Sequence, residues 1–274
     1  MRAQVFRLVL PVIAGLIVAG CAGSGAGRSS GQPVNGTPGE RQVNNKEAAA
    51  LNAQLGAEYL RGRRFREAKE KLDRALVQDA SNFEANWVMA SLQEQLDNPA
   101  EADRYYKIAL KLQPDNPDLA NTYGAYLCKS GKVDDAVSLF EGLTRNKLYR
   151  TPWAAATNAA VCLRADKRNA DALAYIERAL TMKADYVEAI VEKADLQLAL
   201  GRGAGARQTI DGYLATPRPQ ERDSHRPDLL VLGVRAALAQ GDSAAALEFA
   251  RQLRRDYPNS TQAAALPQLM QTRK

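Results

Sequence analysis

The chain has 274 residues, of which 46% are hydrophobic and only 6% aromatic, so it is long enough for one elongated domain or two compact ones. Frequent alanine and the lack of sustained period-two alternation favour packed helices over a β-sandwich. The formal charge of +6 is spread over interspersed acidic and basic residues, without a basic run that contains aromatic residues. The sequence therefore predicts no nucleic-acid partner.

Residues 1–20 have the pattern of a secretory signal peptide. Arg2 and Arg7 precede an uncharged segment, residues 8–20, which is shorter than a typical transmembrane helix. This segment leads into the sequence VAGC, which ends at Cys21 and resembles the bacterial lipobox: an aliphatic residue, two small residues and the cysteine that becomes the new N-terminus. The alternative is an ordinary secretory signal that is followed by an unrelated cysteine.

The lipobox resemblance implies a lipid anchor on Cys21. Several acyl chains together would hold the protein at a membrane, because one chain alone binds only marginally. Ala22 stands where many Gram-negative lipoproteins carry the aspartate that retains them in the inner membrane, so the resemblance implies the periplasmic face of the outer membrane. Residues 21–46 are then a lipidated cysteine and a flexible tether, since Gly, Ser, Asn and Pro dominate and little apolar surface can be buried.

From residue 47 onward the chain repeats a helical hairpin. The hairpin is clearest over Asn121–Phe140, where apolar residues follow a 3.6-residue period on both sides of a turn at Ser130 and Gly131. A small residue of each second helix recurs with separations of 34, 34, 36, 34 and 40 residues. It falls at Ala68, Ala102, Ala136, Ala172, Ala206 and Ala246. A period near 34 with small and aromatic residues at fixed offsets resembles the tetratricopeptide repeat.

That resemblance implies an all-α fold for residues 47–274, an α-solenoid or superhelix of about six helical hairpins. The expected repeats are 49–82, 83–116, 117–150, 153–186, 187–220 and 227–260, followed by a C-terminal capping helix. The fifth repeat is the weakest, because four glycines between Gly201 and Gly212 lower its helix propensity. Three prolines between Thr216 and Pro227 predict a loop before the sixth repeat.

No constellation of residues predicts catalysis, a metal or a cofactor. Residues 201–206 fit the G-x-G-x-x-A dinucleotide fingerprint, but that fingerprint follows a strand and these glycines lie at the turn of a helical hairpin. His225 is the only histidine, which excludes His-dependent acid-base catalysis and a multi-histidine metal site. Asp134 and Asp135 are better explained as helix-start residues. We therefore expect no enzyme, no small-molecule substrate and no cofactor apart from the lipid on Cys21.

Cys128 and Cys162 are the two cysteines that remain if Cys21 is lipidated. They have nearly equivalent heights in the first helices of adjacent repeats, in a compartment that would be oxidising. Helices in contact lie about 8 to 10 Å apart and a disulfide requires Cα atoms about 4.4 to 6.8 Å apart, so a bridge requires both side chains to point inward. A disulfide and two separately buried thiols are both compatible with the sequence.

A tetratricopeptide solenoid displays the first helices of its repeats along a concave surface that binds peptides or partner helices. By repeat position, the residues that we expect in this groove are Leu60, Trp87, Ser91, Glu94, Asn121, Ala125 and Thr157. Trp87 is the leading candidate, because aromatic residues are enriched at binding hot spots. The alternative is that most of these residues are only solvated or help to pack the helix.

The arrangement as a whole resembles the PilF/PilW family of outer-membrane lipoproteins in type IV pilus biogenesis. Three features carry this resemblance: the lipobox at Cys21, the cysteine Cys162 in the first helix of the fourth repeat, and Leu148, Tyr149 and Pro152 in the link between the third and fourth repeats. The segments 121–128, 229–233 and 257–260 extend it along the chain. The resemblance implies a pilotin, which would bind the outer-membrane secretin of the pilus and promote its localisation or multimerisation. The cysteine pair is closer to the PilW branch, for which the resemblance implies a disulfide. The alternatives are a lipoprotein adaptor for outer-membrane barrel assembly and one for cell-wall synthesis.

Overall fold

The computed structural model describes residues 38–147, 149–216 and 225–271. The expected signal peptide, Cys21 and most of the tether lie outside these residues, as does most of the loop between Thr216 and Pro227. Every regular element within them is an α-helix, as the sequence predicted. The thirteen helices of this part of the chain are α1 (Pro38–Arg61), α2 (Phe65–Gln78), α3 (Phe83–Gln95), α4 (Pro99–Leu112), α5 (Pro117–Lys129), α6 (Val133–Arg145), α7 (Pro152–Ala165), α8 (Asn169–Met182), α9 (Val187–Ala199), α10 (Gly203–Leu214), α11 (Arg226–Ala239), α12 (Ser243–Asp256) and α13 (Thr261–Gln271).

The helices belong to two compact units, which meet in sequence between Leu119 and Ala120. The first unit contains α1 to α4 and the start of α5, and the second contains the rest of α5 and α6 to α13. In each repeat a first helix is followed, after a short turn, by a second helix. The pairs are α1 with α2, α3 with α4, α5 with α6, α7 with α8, α9 with α10, and α11 with α12.

Each hairpin turns at a residue with a left-handed backbone, five residues before the small residue of the second helix. Glycine has this position in three repeats, at Gly131, Gly201 and Gly241, with φ of 78°, 71° and 75°. The other three repeats have Arg63, Asp97 and Lys167 there, with φ of 57°, 57° and 64°. A left-handed residue closes the C-terminus of a helix because the next N–H groups can bond back to its last carbonyls. The shared offset means that the six hairpins are in the same register.

Glycine also lets the two helices of a hairpin approach closely. A Cβ atom on Gly124 would lie 2.9 Å from the ring of Phe140, and one on Gly233 would lie 2.9 Å from the ring of Phe249. Phe140 is fully buried, so its ring has little room to move away. At these positions any residue larger than glycine would require the phenylalanine ring or the helices to shift.

The N-terminal helix begins earlier than expected. α1 begins at Pro38, inside the segment 21–46 that the composition predicted to be a flexible tether. Proline is favourable in the first turn of a helix because its missing N–H would have no partner there, and extending a helix that has already nucleated costs little. Among the described side chains of α1, Ala49 is the first that is fully buried, and it is also the first residue of the expected first repeat.

The fifth repeat forms its second helix despite three glycines in α10. Ala206, Ile210 and Tyr213 are buried in the core of the second unit, and this packing outweighs the low helix propensity of glycine. At the C-terminus, α13 buries Ala263 and Leu266 in the same core. It therefore covers apolar surface that the sixth repeat would otherwise expose.

Candidate protein-interaction surface

The first helices of neighbouring repeats lie side by side within each unit. α1 contacts α3 in the first unit, and in the second unit α7 contacts α9 and α9 contacts α11. The side of these helices that carries the expected groove positions is the first-helix face of each unit. It lies on α1 and α3 in the first unit, and on α5, α7, α9 and α11 in the second.

Trp87 is half-buried on the first-helix face of the first unit. Its ring centroid lies 5.6 Å from that of Phe83, and the two ring planes are tilted by 51°. The tilted packing restricts the indole while part of its surface stays accessible. An ordered and partly exposed aromatic side chain suits a contact with another protein.

Ser91 and Glu94 extend this face further along α3. The Ser91 hydroxyl lies 3.3 Å from the Trp87 carbonyl oxygen, to which it donates, and 3.4 Å from the Tyr106 hydroxyl. The Tyr106 hydroxyl donates to the Glu94 carboxylate at 3.2 Å. Because Tyr106 is fully buried in α4, these bonds hold Ser91 and Glu94 in place. The structure thus brings together the three expected residues of α3.

Two further residues border this face. Leu60 is half-buried and packs against the core cluster that contains Leu72 and Met89, so only part of its surface is available. Burial raises the pKa of the Glu84 carboxyl, and the positive charge of Arg61 opposes that shift. The first-helix face of the first unit therefore combines aromatic surface with a carboxylate that is partly withdrawn from water.

Asn121 and Thr157 do not fit the groove prediction, because they are only 8% and 3% exposed. The side-chain amide of Asn158 donates to Asn121 at 2.9 Å, and the Thr157 hydroxyl donates to the Trp153 carbonyl oxygen at 2.9 Å. Buried polar groups need such internal partners. The expectation that both residues face a partner is therefore corrected, whereas Ala125 is half-buried on α5.

Sequence reasoning missed a line of charged residues on the first-helix face of the second unit. Arg164 of α7 donates to one carboxylate oxygen of Asp195 in α9 at 2.6 Å, and Arg235 of α11 donates to the other at 2.7 Å. Arg164 also donates to Glu192 at 3.3 Å. Asp195 therefore connects three consecutive first helices.

Glu192 is the most deeply buried member of this line. Its burial raises its pKa, an effect that Arg164 opposes and Asp195 reinforces. The Arg164 Nε and Glu192 Oε2 atoms are 3.0 Å apart, but their geometry does not form a hydrogen bond. The carboxylate is therefore only partly compensated for the loss of water.

The repeat register contains a signal for this line. Asp195 and Arg235 occupy the position of Ser91, eleven residues before the small residue of the second helix. Arg164 occupies the position of Glu94, eight residues before it. Extending the groove positions to the fifth and sixth repeats would have placed opposite charges on neighbouring helices.

In the structure a disulfide joins Cys128 of α5 to Cys162 of α7, with Cα atoms 5.6 Å apart. The Asn121–Asn158 hydrogen bond connects the same two helices. Cys162 is fully buried, so the bridge lies inside the layer of first helices. Its formation in the cell stays a prediction.

Neither a metal centre nor a membrane span is found in the described part of the chain. No group of three or more His, Cys, Asp or Glu residues there could hold a metal ion. Among the helices α1 to α13, none is long and apolar enough to cross a bilayer. The two first-helix faces instead offer aromatic surface, fixed polar side chains and ion pairs, which are features of protein contact surfaces.

Two family models, both described as tetratricopeptide repeat, match the chain. One matches residues 54–117 and 124–187, and the other matches residues 163–222. Together they cover more than half of the chain, which therefore belongs to the tetratricopeptide-repeat family. The expected fold class, an all-α chain of the tetratricopeptide α-solenoid type, is confirmed.

Within that family the chain is homologous to PilF. The type IV pilus assembly protein PilF of Pseudomonas aeruginosa is 28% identical over 214 residues, which are 78% of this chain and 82% of the relative. The crystal structure of PilW, a widely conserved type IV pilus biogenesis factor, has a TM-score of 0.63 at 26% identity and covers 80% of this chain and 98% of its own. The structure of Pseudomonas aeruginosa PilF has a TM-score of 0.61 at 26% identity and covers 82% of this chain and 99% of its own. The resemblance to the PilF/PilW family is confirmed.

Replacing both bridged cysteines, as Cys128→Ala with Cys162→Ala, should destabilise the protein. In the chain-entropy model a crosslink between residues 34 apart stabilises by about 3 to 4 kcal/mol. The measurement is the thermal unfolding midpoint of the mature chain, followed by circular dichroism. Wild type should have a lower midpoint after it has been reduced in denaturant and refolded in the presence of reductant. The same treatment should not change the midpoint of the variant. A wild-type midpoint that reductant does not shift would contradict the bridge.

Replacing Glu192 by glutamine should change how stability depends on pH. The folded-state pKa of Glu192 is raised above its ordinary value of 4.5, so the folded chain holds this proton more tightly than the unfolded chain. The wild-type free energy of unfolding should therefore fall, relative to that of the variant, as pH rises from 4.5 through the raised pKa, and the difference should be constant above it.

This dependence is measured as the difference in unfolding midpoint between wild type and Glu192→Gln over a pH series. Glu177→Gln, which removes an exposed glutamate of α8, controls for the loss of a charge. If the difference between wild type and Glu192→Gln were the same at every pH, burial would not raise the pKa of the Glu192 carboxyl in the folded chain.

Proposed function

We propose that the protein is an outer-membrane-anchored scaffold that binds the secretin of the type IV pilus and promotes its localisation or multimerisation. Homology to PilF and PilW supports a tetratricopeptide-repeat protein of type IV pilus biogenesis. The observation that carries the proposal is the match over 98% and 99% of the solved PilW and PilF chains. The secretin as partner and the outer membrane as location are further steps, which rest on the family resemblance and the lipobox.

In this proposal, the first-helix face of the first unit binds a segment of the secretin. Trp87 supplies aromatic surface, and Ser91 and Glu94 supply polar groups whose positions are already set by Tyr106. Side chains that are ordered before binding lose less conformational entropy on association. Because a few aromatic residues usually dominate binding energy, Trp87 should contribute most.

Membrane attachment is assigned to the lipid on Cys21, which lies 17 residues before the first residue of α1. The lipid would carry the bound secretin to the inner leaflet of the outer membrane, where the secretin assembles. Several acyl chains make this attachment long-lived compared with a single chain. Delivery and binding would thus be separate tasks of the N-terminal cysteine and of the repeats.

Trp87→Ala should weaken capture of the secretin. The tagged chain is purified from detergent-solubilised envelopes of a piliated strain, and the variant should recover at least about tenfold less secretin than wild type, as expected for loss of a hot-spot residue. Val77→Ala is the control, since Val77 is 88% exposed on α2, away from the first-helix face, and its loss removes apolar surface elsewhere. Circular dichroism of both variants checks that they fold.

The proteins recovered in this purification also test the identity of the partner. Recovery of a barrel-assembly protein or a cell-wall synthase, with no secretin, would overturn the proposal in favour of a lipoprotein adaptor for those pathways. Equal recovery of secretin with wild type and Trp87→Ala would leave the partner in place but remove the first-helix face of the first unit as its binding site.

Cys21→Ser should release the protein from the outer-membrane fraction, because serine cannot form the thioether to lipid. The strain should also contain fewer secretin multimers, measured by immunoblot of unheated envelopes. Wild type expressed at the same level is the control for both readouts. If Cys21→Ser stayed in the outer-membrane fraction, delivery by the lipid would be wrong.

A further inference from the structure

In the first helix of the fifth repeat, three residues are only half-buried at positions where the fourth and sixth repeats have buried residues. These positions lie sixteen, thirteen and nine residues before the small residue of the second helix. They are occupied by Ala156, Ala159 and Leu163 in the fourth repeat and by Leu230, Gly233 and Ala237 in the sixth, all of which are buried. The fifth repeat has Ile190, Lys193 and Gln197, which are only half-buried. Two polar side chains thus replace core residues at this level of the second unit.

These residues line a cleft of about 570 Å³ between α8, α9 and α10. Gly205 and Gly212 of α10 form part of its wall and place no side chain in it. A Cβ atom on Gly212 would meet nothing within 4 Å. The volume falls within the range of natural ligand sites, so the cleft can hold several residues of a peptide.

The lining of the cleft has unused hydrogen-bonding and charge capacity. Lys193 forms no ion pair with any residue that the structure describes. Gln197 accepts a hydrogen bond from the Thr209 hydroxyl at 2.9 Å, while its NH₂ group donates to no described residue. Leu180 and Ile190 add apolar surface. A carboxylate of a bound ligand could therefore form a charge-assisted hydrogen bond with the Lys193 ammonium group.

We propose that this cleft binds an extended peptide segment that carries an acidic side chain and an aliphatic side chain two residues away. Alternate side chains of an extended segment point to the same side, so the carboxylate can pair with Lys193 while the aliphatic group packs on Ile190. The Gln197 NH₂ group then donates to a peptide carbonyl. Asp185 also lines the cleft, but it is exposed and water screens its repulsion of the ligand. The inference does not rest on the proposed pilus function.

The chain offers a matched pair of glycines for the test. Gly142 of α6 has the same repeat position as Gly212, six residues after the small residue of the second helix, and a Cβ atom there also meets nothing within 4 Å. Gly212→Leu fills the cleft, whereas Gly142→Leu adds the same side chain in another repeat. Both changes raise helix propensity, so both variants should fold.

The probe is a blocked, fluorescein-labelled octapeptide of glycine and serine that carries one leucine and one aspartate two positions apart. Binding to the mature full-length chain in detergent is measured by fluorescence anisotropy, with a second peptide that has asparagine in place of aspartate. Wild type and Gly142→Leu should bind the aspartate peptide about tenfold more tightly than the asparagine peptide. Lys193→Gln should abolish this preference, and Gly212→Leu should abolish binding of both peptides.

Several results would overturn the inference. They are equal binding by Gly212→Leu and Gly142→Leu, an undiminished preference for aspartate in Lys193→Gln, and the absence of wild-type binding at a chain concentration of about 1 mM. Binding of a neutral N-acetylglucosamine oligomer, with no binding of the aspartate peptide, would reassign the cleft to a glycan.

Discussion

The close contact between the two helices of each hairpin is the constraint on which the rest of the structure depends. In the first repeat a Cβ atom on Gly56 would lie 2.7 Å from the side chain of Leu72, which is fully buried. Overpacking of this kind costs about 1 to 3 kcal/mol, so the position favours a small residue, and the equivalent position of the second, fourth and fifth repeats is alanine, at Ala90, Ala160 and Ala194. With the hairpin held this tightly, its first helix can contact the first helix of the next repeat, as α1 contacts α3. One hairpin cannot bury its apolar surface alone, so this stacking both completes the core and creates the first-helix face.

The same constraint explains why the repeats could be predicted from the sequence. Because this contact favours small residues, a small residue recurs in every repeat and defines the period of the sequence. The starts of α3 at Phe83 and α9 at Val187 therefore coincide with the expected repeat boundaries. The start of α1 at Pro38 could not be predicted in this way, because the sequence of residues 38–48 has no helical period of apolar residues. Composition indicated a tether there, whereas local helix propagation extended the helix.

The candidate site was only partly predictable, because repeat position defines the side of a helix but not what the neighbouring helix places against it. Trp87 was expected on the first-helix face and is half-buried there. Asn121 has an equivalent position, but Asn158 on the next helix meets it and the pair is buried. In the fifth repeat, the glycines were expected to weaken the helix. In the structure α10 is intact, and the effect of Gly205 and Gly212 is on the space beside it.

In the second unit, side chains join each first helix to the next from α5 to α11, and they join α11 to the capping helix α13. Asn158 bonds Asn121 between α7 and α5, Asp195 bonds arginines of α7 and α11, and Gln262 of α13 donates to Asp228 of α11 at 2.6 Å. Each exposed ion pair contributes little to stability, since water screens it. All of them nevertheless oppose the same motion, the sliding of one first helix along the next. Their main consequence is therefore geometric: they hold the first helices of the second unit at a fixed spacing.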